Sequence, residues 1–96
     1  MITSKQRAYL RGLANTIPAL YQVGKGGIDN TLIKTLDEAL EAKELIKVHV
    51  LENAGESAKE LCNFLADRLN AEPVQAIGSK FVLYRESENK KQIILK

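Results

Sequence analysis

A single cysteine, Cys62, leaves no intramolecular disulfide and no cysteine-based metal site. The lone histidine, His49, falls on the polar parity of its segment, and no acidic cluster is placed to share a metal with it. It reads as surface or half-buried structure. Without a second reactive partner, neither residue builds a nucleophile–base pair, so no catalytic constellation, cofactor or metal is expected. No apolar run is long enough to cross a membrane and no N-terminal signal pattern is legible, which with the scarce cysteine favours a cytoplasmic protein. Aromatics are few: three tyrosines, two phenylalanines and no tryptophan. Tyr9, Tyr21, Phe64, Phe81 and Tyr84 read mostly as core, leaving little for base stacking. Net charge is only +2, too small to indicate a nucleic-acid partner by itself.

The distribution of charge says more than its sum. Between Met1 and Ile28 stand Lys5, Arg7, Arg11 and Lys25 without one acid. Between Lys80 and Lys96, five bases (Lys80, Arg85, Lys90, Lys91, Lys96) face Glu86 and Glu88 alone. Acids gather in the middle of the chain, so a fold that joins its ends carries a basic face. Each of these bases also has a plainer reading, as solvated helix surface for Arg7 and Arg11 or as an edge-strand guard for Lys80. Asp37, Glu38 and Glu41, beside Lys34 and Lys43, look like solvated pairs one helical turn apart.

At 96 residues the chain fills one core and therefore one domain. Thr3-Ser4-Lys5-Gln6 is a capping-box pattern opening a helix from about Ser4 to Ala14. Pro18 ends any continuation, and Ala19 to Val23 reads as a short strand. Asp29 or Asn30 caps a second helix reaching about Ala42 or Lys43, with Leu32, Leu36, Ala39 and Leu40 as its apolar stripe. Glu44 to Val50 alternates as a strand, and Ser57 to Leu69 carries a helical stripe of Ala58, Leu61, Cys62, Leu65 and Leu69. Pro73 to Gly78 and Lys80 to Arg85 form a hairpin-like strand pair, and the terminal Ile-Ile-Leu packs back or adds a short strand. The order α-β-α-β-α-β-β predicts a mixed four-stranded sheet with three helices, an α/β (α+β) two-layer sandwich.

Gly24-Lys25-Gly26-Gly27 sits between the first strand and the second helix. Its plain reading is a strained turn relieved by glycine; its functional reading is a backbone that a phosphate can approach closely, with Lys25 as a point charge. It is neither a nucleotide P-loop nor a dinucleotide fingerprint, and its G-x-x-G spacing matches the loop with which KH domains clamp a nucleic-acid backbone. Asp29, just behind it, competes with an anion for the helix amides.

Taken together, Thr3 to Ala14 (TSKQRAYLRGLA), Gln22 to Ile28 (QVGKGGI), Glu44 to Val50 (ELIKVHV) and Ala76 to Arg85 (AIGSKFVLYR) resemble the landmarks of the CRM domain, the chloroplast RNA splicing and ribosome maturation domain. The length is similar to that of its stand-alone bacterial YhbY-like form. The resemblance implies a fold like the C-terminal domain of bacterial initiation factor three. It also implies RNA binding, with rRNA of the large ribosomal subunit or its precursor particle as the partner of the stand-alone form; a monomer acting without catalysis is expected. The family's RNA-contact loop falls on Gly24, Lys25, Gly26 and Gly27, with Lys5, Arg7 and Arg11 on the basic surface and Lys80 and Arg85 in the closing-strand motif. There are two departures: Lys43 stands where members often have histidine, and Asn15 to Val23 replaces a more basic segment, which thins the positive surface. A KH-type single-strand reader, with a helix before the loop, and a protein–protein adaptor using its helical faces are the alternatives.

Overall fold

A computed structural model of the chain describes residues 2–95; Lys96, counted above in the basic C-terminal segment, lies outside them. The elements follow the expected order: α1 (Ser4–Ala14), β1 (Tyr21–Val23), α2 (Asn30–Lys43), β2 (Leu45–Val50), a 3₁₀ turn (Glu52–Ala54), α3 (Ala58–Arg68), β3 (Glu72–Ile77) and β4 (Lys80–Tyr84). Helix starts are set by side chains. Thr3 and Ser57 each accept a bond from the amide three residues on, and the side-chain oxygens of Gln6 and Glu60 accept the cap residue's own amide. Asp29 rather than Asn30 caps α2, its Oδ1 accepting the Leu32 amide at 2.7 Å. The strand expected from Ala19 shortens to Tyr21–Val23. The terminal Ile-Ile-Leu forms no strand and packs back through Ile93 and Leu95.

The sheet runs β1-β2-β4-β3, with β1 parallel to β2 and the other pairs antiparallel. A strand, not a helix, thus leads into the glycine loop, which removes the KH alternative. The mixed four-stranded sheet with three helices stands; its two-layer form is corrected to three layers. Phe81 and Leu83 of β4 join α2 and α3 in one core, whereas Val82 and Tyr84 join α1 in another. A central strand buried on both faces needs cover on both, and α1 with the C-terminal segment supplies the second. Two of the aromatics expected in the core are not there: Tyr9 is 51% and Phe64 53% exposed.

The acids of α2 are the larger surprise. Asp37 reaches Arg85 at the end of β4, and Glu41, with Glu44 at the helix end, holds the end of the chain. Glu44 is fully buried at a strained φ of 68°, and its carboxylate accepts the amides of Ser87, Gln92 and Ile93 at 2.6–2.8 Å. Glu41 accepts the Ser87 hydroxyl and the amides of Glu88 and Asn89. Helix periodicity shows a polar face but cannot show that a distant segment lies on it.

Burial pushes the Glu44 carboxyl up, but the three amides and the nearby Lys91 charge outweigh it, so its pKa falls below the ordinary 4.5. Glu41 is lowered too, by the Glu88 amide first. The folded chain therefore holds fewer protons on these groups than the unfolded chain. Their contribution is complete above pH 4.5 and is lost as pH falls through the lower folded values. Urea unfolding of Glu44→Ala at pH 7 is expected to show a loss of about 3 kcal/mol, from buried amides left without an acceptor. The difference from the parent chain shrinks as pH drops below 4; an equal difference at pH 3 and pH 7 contradicts the latch.

Candidate nucleic-acid interface

The parallel register Tyr21↔Val48, Gln22↔His49 and Val23↔Val50 brings the ends of β1 and β2 together. The Leu51 amide donates to the Val23 carbonyl at 2.9 Å, and the Val50 amide to the Ser79 carbonyl. Three connections therefore converge at one end of the sheet: the glycine loop, residues 51–57 and the β3–β4 turn. Open α/β sheets place ligand sites at such strand ends, where the connections diverge.

Within the loop, the Gly27 amide donates to the Gly24 carbonyl at 2.9 Å, closing a turn around Lys25 and Gly26. Gly27 has φ +65°, the left-handed region that disfavours other residues by about 1–2 kcal/mol. A Cβ on Gly24 would only touch Leu51 Cδ1 at 3.4 Å. Gly26 has ordinary φ and open space around it. The fold thus demands one glycine of the three. Lys25 and Gly26 are exposed, and their amides make no hydrogen bond among the described residues. The α2 terminus itself is engaged by Asp29, so the donors available to a ligand belong to the turn.

The other expected site residues separate. Lys80 opens β4 at the loop end and is exposed. Alternation puts it on the α1 face, in one row with Gln22 and His49 across three strands. His49 and Gln22 join Lys80 in this row because their parity is opposite to that of Val23, Val48 and Val50. Lys5 and Arg11 are exposed on α1. Arg7 turns inward, its Nε donating to the Pro73 carbonyl at 3.1 Å with Glu72 at 4.0 Å. Arg85 lies at the opposite end of the sheet, half-buried and tied to the fold. It donates to the Asp37 carboxylate at 2.7 Å, the Asp37 carbonyl at 2.9 Å and the Leu69 carbonyl at 3.0 Å. Lys43, at the family's histidine position, sits 5.5 Å over the Tyr21 ring.

No group of three or more metal-ligating side chains occurs among the described residues, and no described helix is long and apolar enough to cross a membrane. Cys62 is buried under β4, and desolvation pushes its thiol up to about 11, leaving it protonated and inert at neutral pH.

Fold and site define a small α/β domain that presents a glycine turn and exposed bases at one end of a mixed sheet. Residues 2–85 match the family model of the CRS1 / YhbY (CRM) domain, and the chain belongs to that family. It is 45% identical over 95 residues to "Probable RNA-binding protein YqeI" of Bacillus subtilis, covering 99% of each chain. It is 33% identical to an RNA-binding protein of Haemophilus influenzae, covering 94% of this chain and 91% of that one. The solution structure of the hypothetical protein SAV1595 from Staphylococcus aureus superposes with a TM-score of 0.83 at 50% identity, over the full length of both.

Two substitutions separate ligand contact from folding. Gly26→Ala leaves the urea midpoint unchanged or slightly raised, since the site accepts a Cβ without strain. It lowers RNA affinity about fivefold, on the order of 1 kcal/mol, by blocking close approach. Arg85→Ala does the reverse, costing about 1–2 kcal/mol of stability from its carboxylate and carbonyl bonds while affinity holds.

Proposed function

We propose that the protein is a non-catalytic RNA-binding module that assists assembly of the large ribosomal subunit by binding its rRNA or the precursor particle. The reading rests above all on Gly26, a glycine the fold does not require, beside Lys25 and two turn amides without partners. Such a surface suits a phosphodiester backbone, which can reach the main chain only where no Cβ intervenes. Lys25 supplies charge at the turn and Lys80 adds to it on the α1 side; Lys5 and Arg11 are exposed on α1, whose first turn lies toward the Glu72 end of the sheet. Arg7 and Arg85 serve mainly to hold the fold. Membership of a family whose relatives carry RNA-binding names supports the RNA partner, and the ribosomal role comes from the family resemblance. The protein works as a cytoplasmic monomer in this account.

Binding through phosphates makes affinity fall steeply with salt. Lys25→Ala is expected to lower the slope of log affinity against log salt by about one. Crosslinking in cells, with the contacted nucleotides sequenced, should concentrate on large-subunit rRNA. Even enrichment over messenger RNAs refutes the ribosomal assignment. Capture of proteins that survives nuclease and high salt, without RNA crosslinks, favours the adaptor reading instead.

A further inference from the structure

Beside the glycine turn, on the side of the sheet carrying α2 and α3, lies a pocket of about 220 Å³ lined by Gly27, Ile28, Ala54, Glu56, Leu61 and Phe64. Phe64 is the one phenylalanine not taken into the core, leaving more than half its surface in water at this mouth. We propose that this pocket receives a single unstacked nucleobase of the RNA strand whose backbone crosses the glycine turn. The inference rests on the RNA-binding reading and adds base recognition to it, where the scarce aromatics of the sequence left little for base stacking.

Three observations select this occupant. Gly27 belongs to both the turn and the pocket wall, so a nucleotide with its phosphate at the turn has its base within reach. The volume is below the roughly 300 Å³ at which cavities begin to hold drug-sized ligands, and it suits one planar ring system. Ile28, Ala54, Leu61 and the Phe64 ring give apolar contact for the base, and an exposed aromatic is the platform single-stranded nucleic acids stack on. Glu56 excludes the rival occupant: its carboxylate repels a phosphate. It accepts bonds from N–H groups, so adenine, cytosine and guanine can offer it an amino group. Uracil presents one N–H flanked by two carbonyl oxygens that the carboxylate repels.

The probes are fluorescein-labelled 12-nucleotide oligo(A), oligo(C) and oligo(U), titrated by anisotropy at three salt concentrations with the full chain. The parent is expected to bind oligo(C) and oligo(A) more tightly than oligo(U), and Glu56→Gln to narrow that preference. Phe64→Ala lowers affinity for oligo(C) about tenfold, within the range for loss of one stacked base, without changing the salt slope. Phe64→Tyr binds like the parent. Because Phe64 is exposed, circular dichroism and the urea midpoint of both variants remain at parental values. Unchanged affinity in Phe64→Ala while Lys25→Ala is weakened refutes the base pocket and leaves the turn as an RNA contact. A Phe64→Ala loss accompanied by a lower salt slope also refutes stacking, since the ring then only shapes the turn. If neither variant binds more weakly, or the parent binds none of the oligomers, the pocket and the turn fail together.

Discussion

Three residues of β1 lie parallel to the last three of β2, and the site depends on that short pairing. Parallel strands cannot be joined by a hairpin, so the chain must leave β1 through a turn, cross back as α2, and enter β2 from the far end. The crossover obliges the glycine turn to sit where β2 ends. The antiparallel partner β4 then starts, and β3 ends, at the same edge. Lys80, His49, the 51–57 connection and the Phe64 pocket are neighbours of the turn for this topological reason, although they span much of the chain.

The two ends of the sheet use charge in opposite ways. At the end away from the turn, carboxylates face inward or sideways. Glu44 and Glu41 collect backbone amides from the C-terminal segment, and Asp37 holds Arg85 against the Leu69 carbonyl. Buried carboxylates with several N–H donors stay ionised, and breaking such a set leaves amides with no acceptor. At the turn end, Lys25 and Lys80 stay exposed and the turn keeps donors free. The carboxylates that gather the C-terminal segment thus lie at one end, while at the other two exposed lysines stand beside free turn donors, with Asp29 and Glu56 nearby.

Much of this was legible in residue order. Capping boxes at Thr3 and Ser57, and the alternation of Leu45 to Val50, placed helices and strands within a residue or two, because local chemistry fixes them. The glycine turn was also visible, as was the KH distinction that depends on the strand before it. What escaped depends on contacts between segments far apart in the chain. Helical periodicity marked Asp37 and Glu41 as polar, yet only the fold shows that Arg85 and Ser87 come to meet them. Arg85 looked like a free base for the same reason. The third layer was hidden because α1 and β4 are separated by most of the chain. Phe64 lies outside the stripe of Leu61, Cys62 and Leu65, so the helical wheel marks it as exposed although aromatics as a class favour the core.

The central claim is that RNA meets the turn from Gly24 to Gly27 at the convergent end of the sheet. Amide chemical-shift mapping on addition of a large-subunit rRNA fragment reads this residue by residue. The account predicts the largest shifts at Gly24, Lys25, Gly26 and Gly27, with smaller ones at His49 and Lys80 and none around Arg85 and Ser87. Shifts concentrated near Asp37, Glu41 and Arg85, with a silent glycine turn, would place the contact at the wrong end and contradict it.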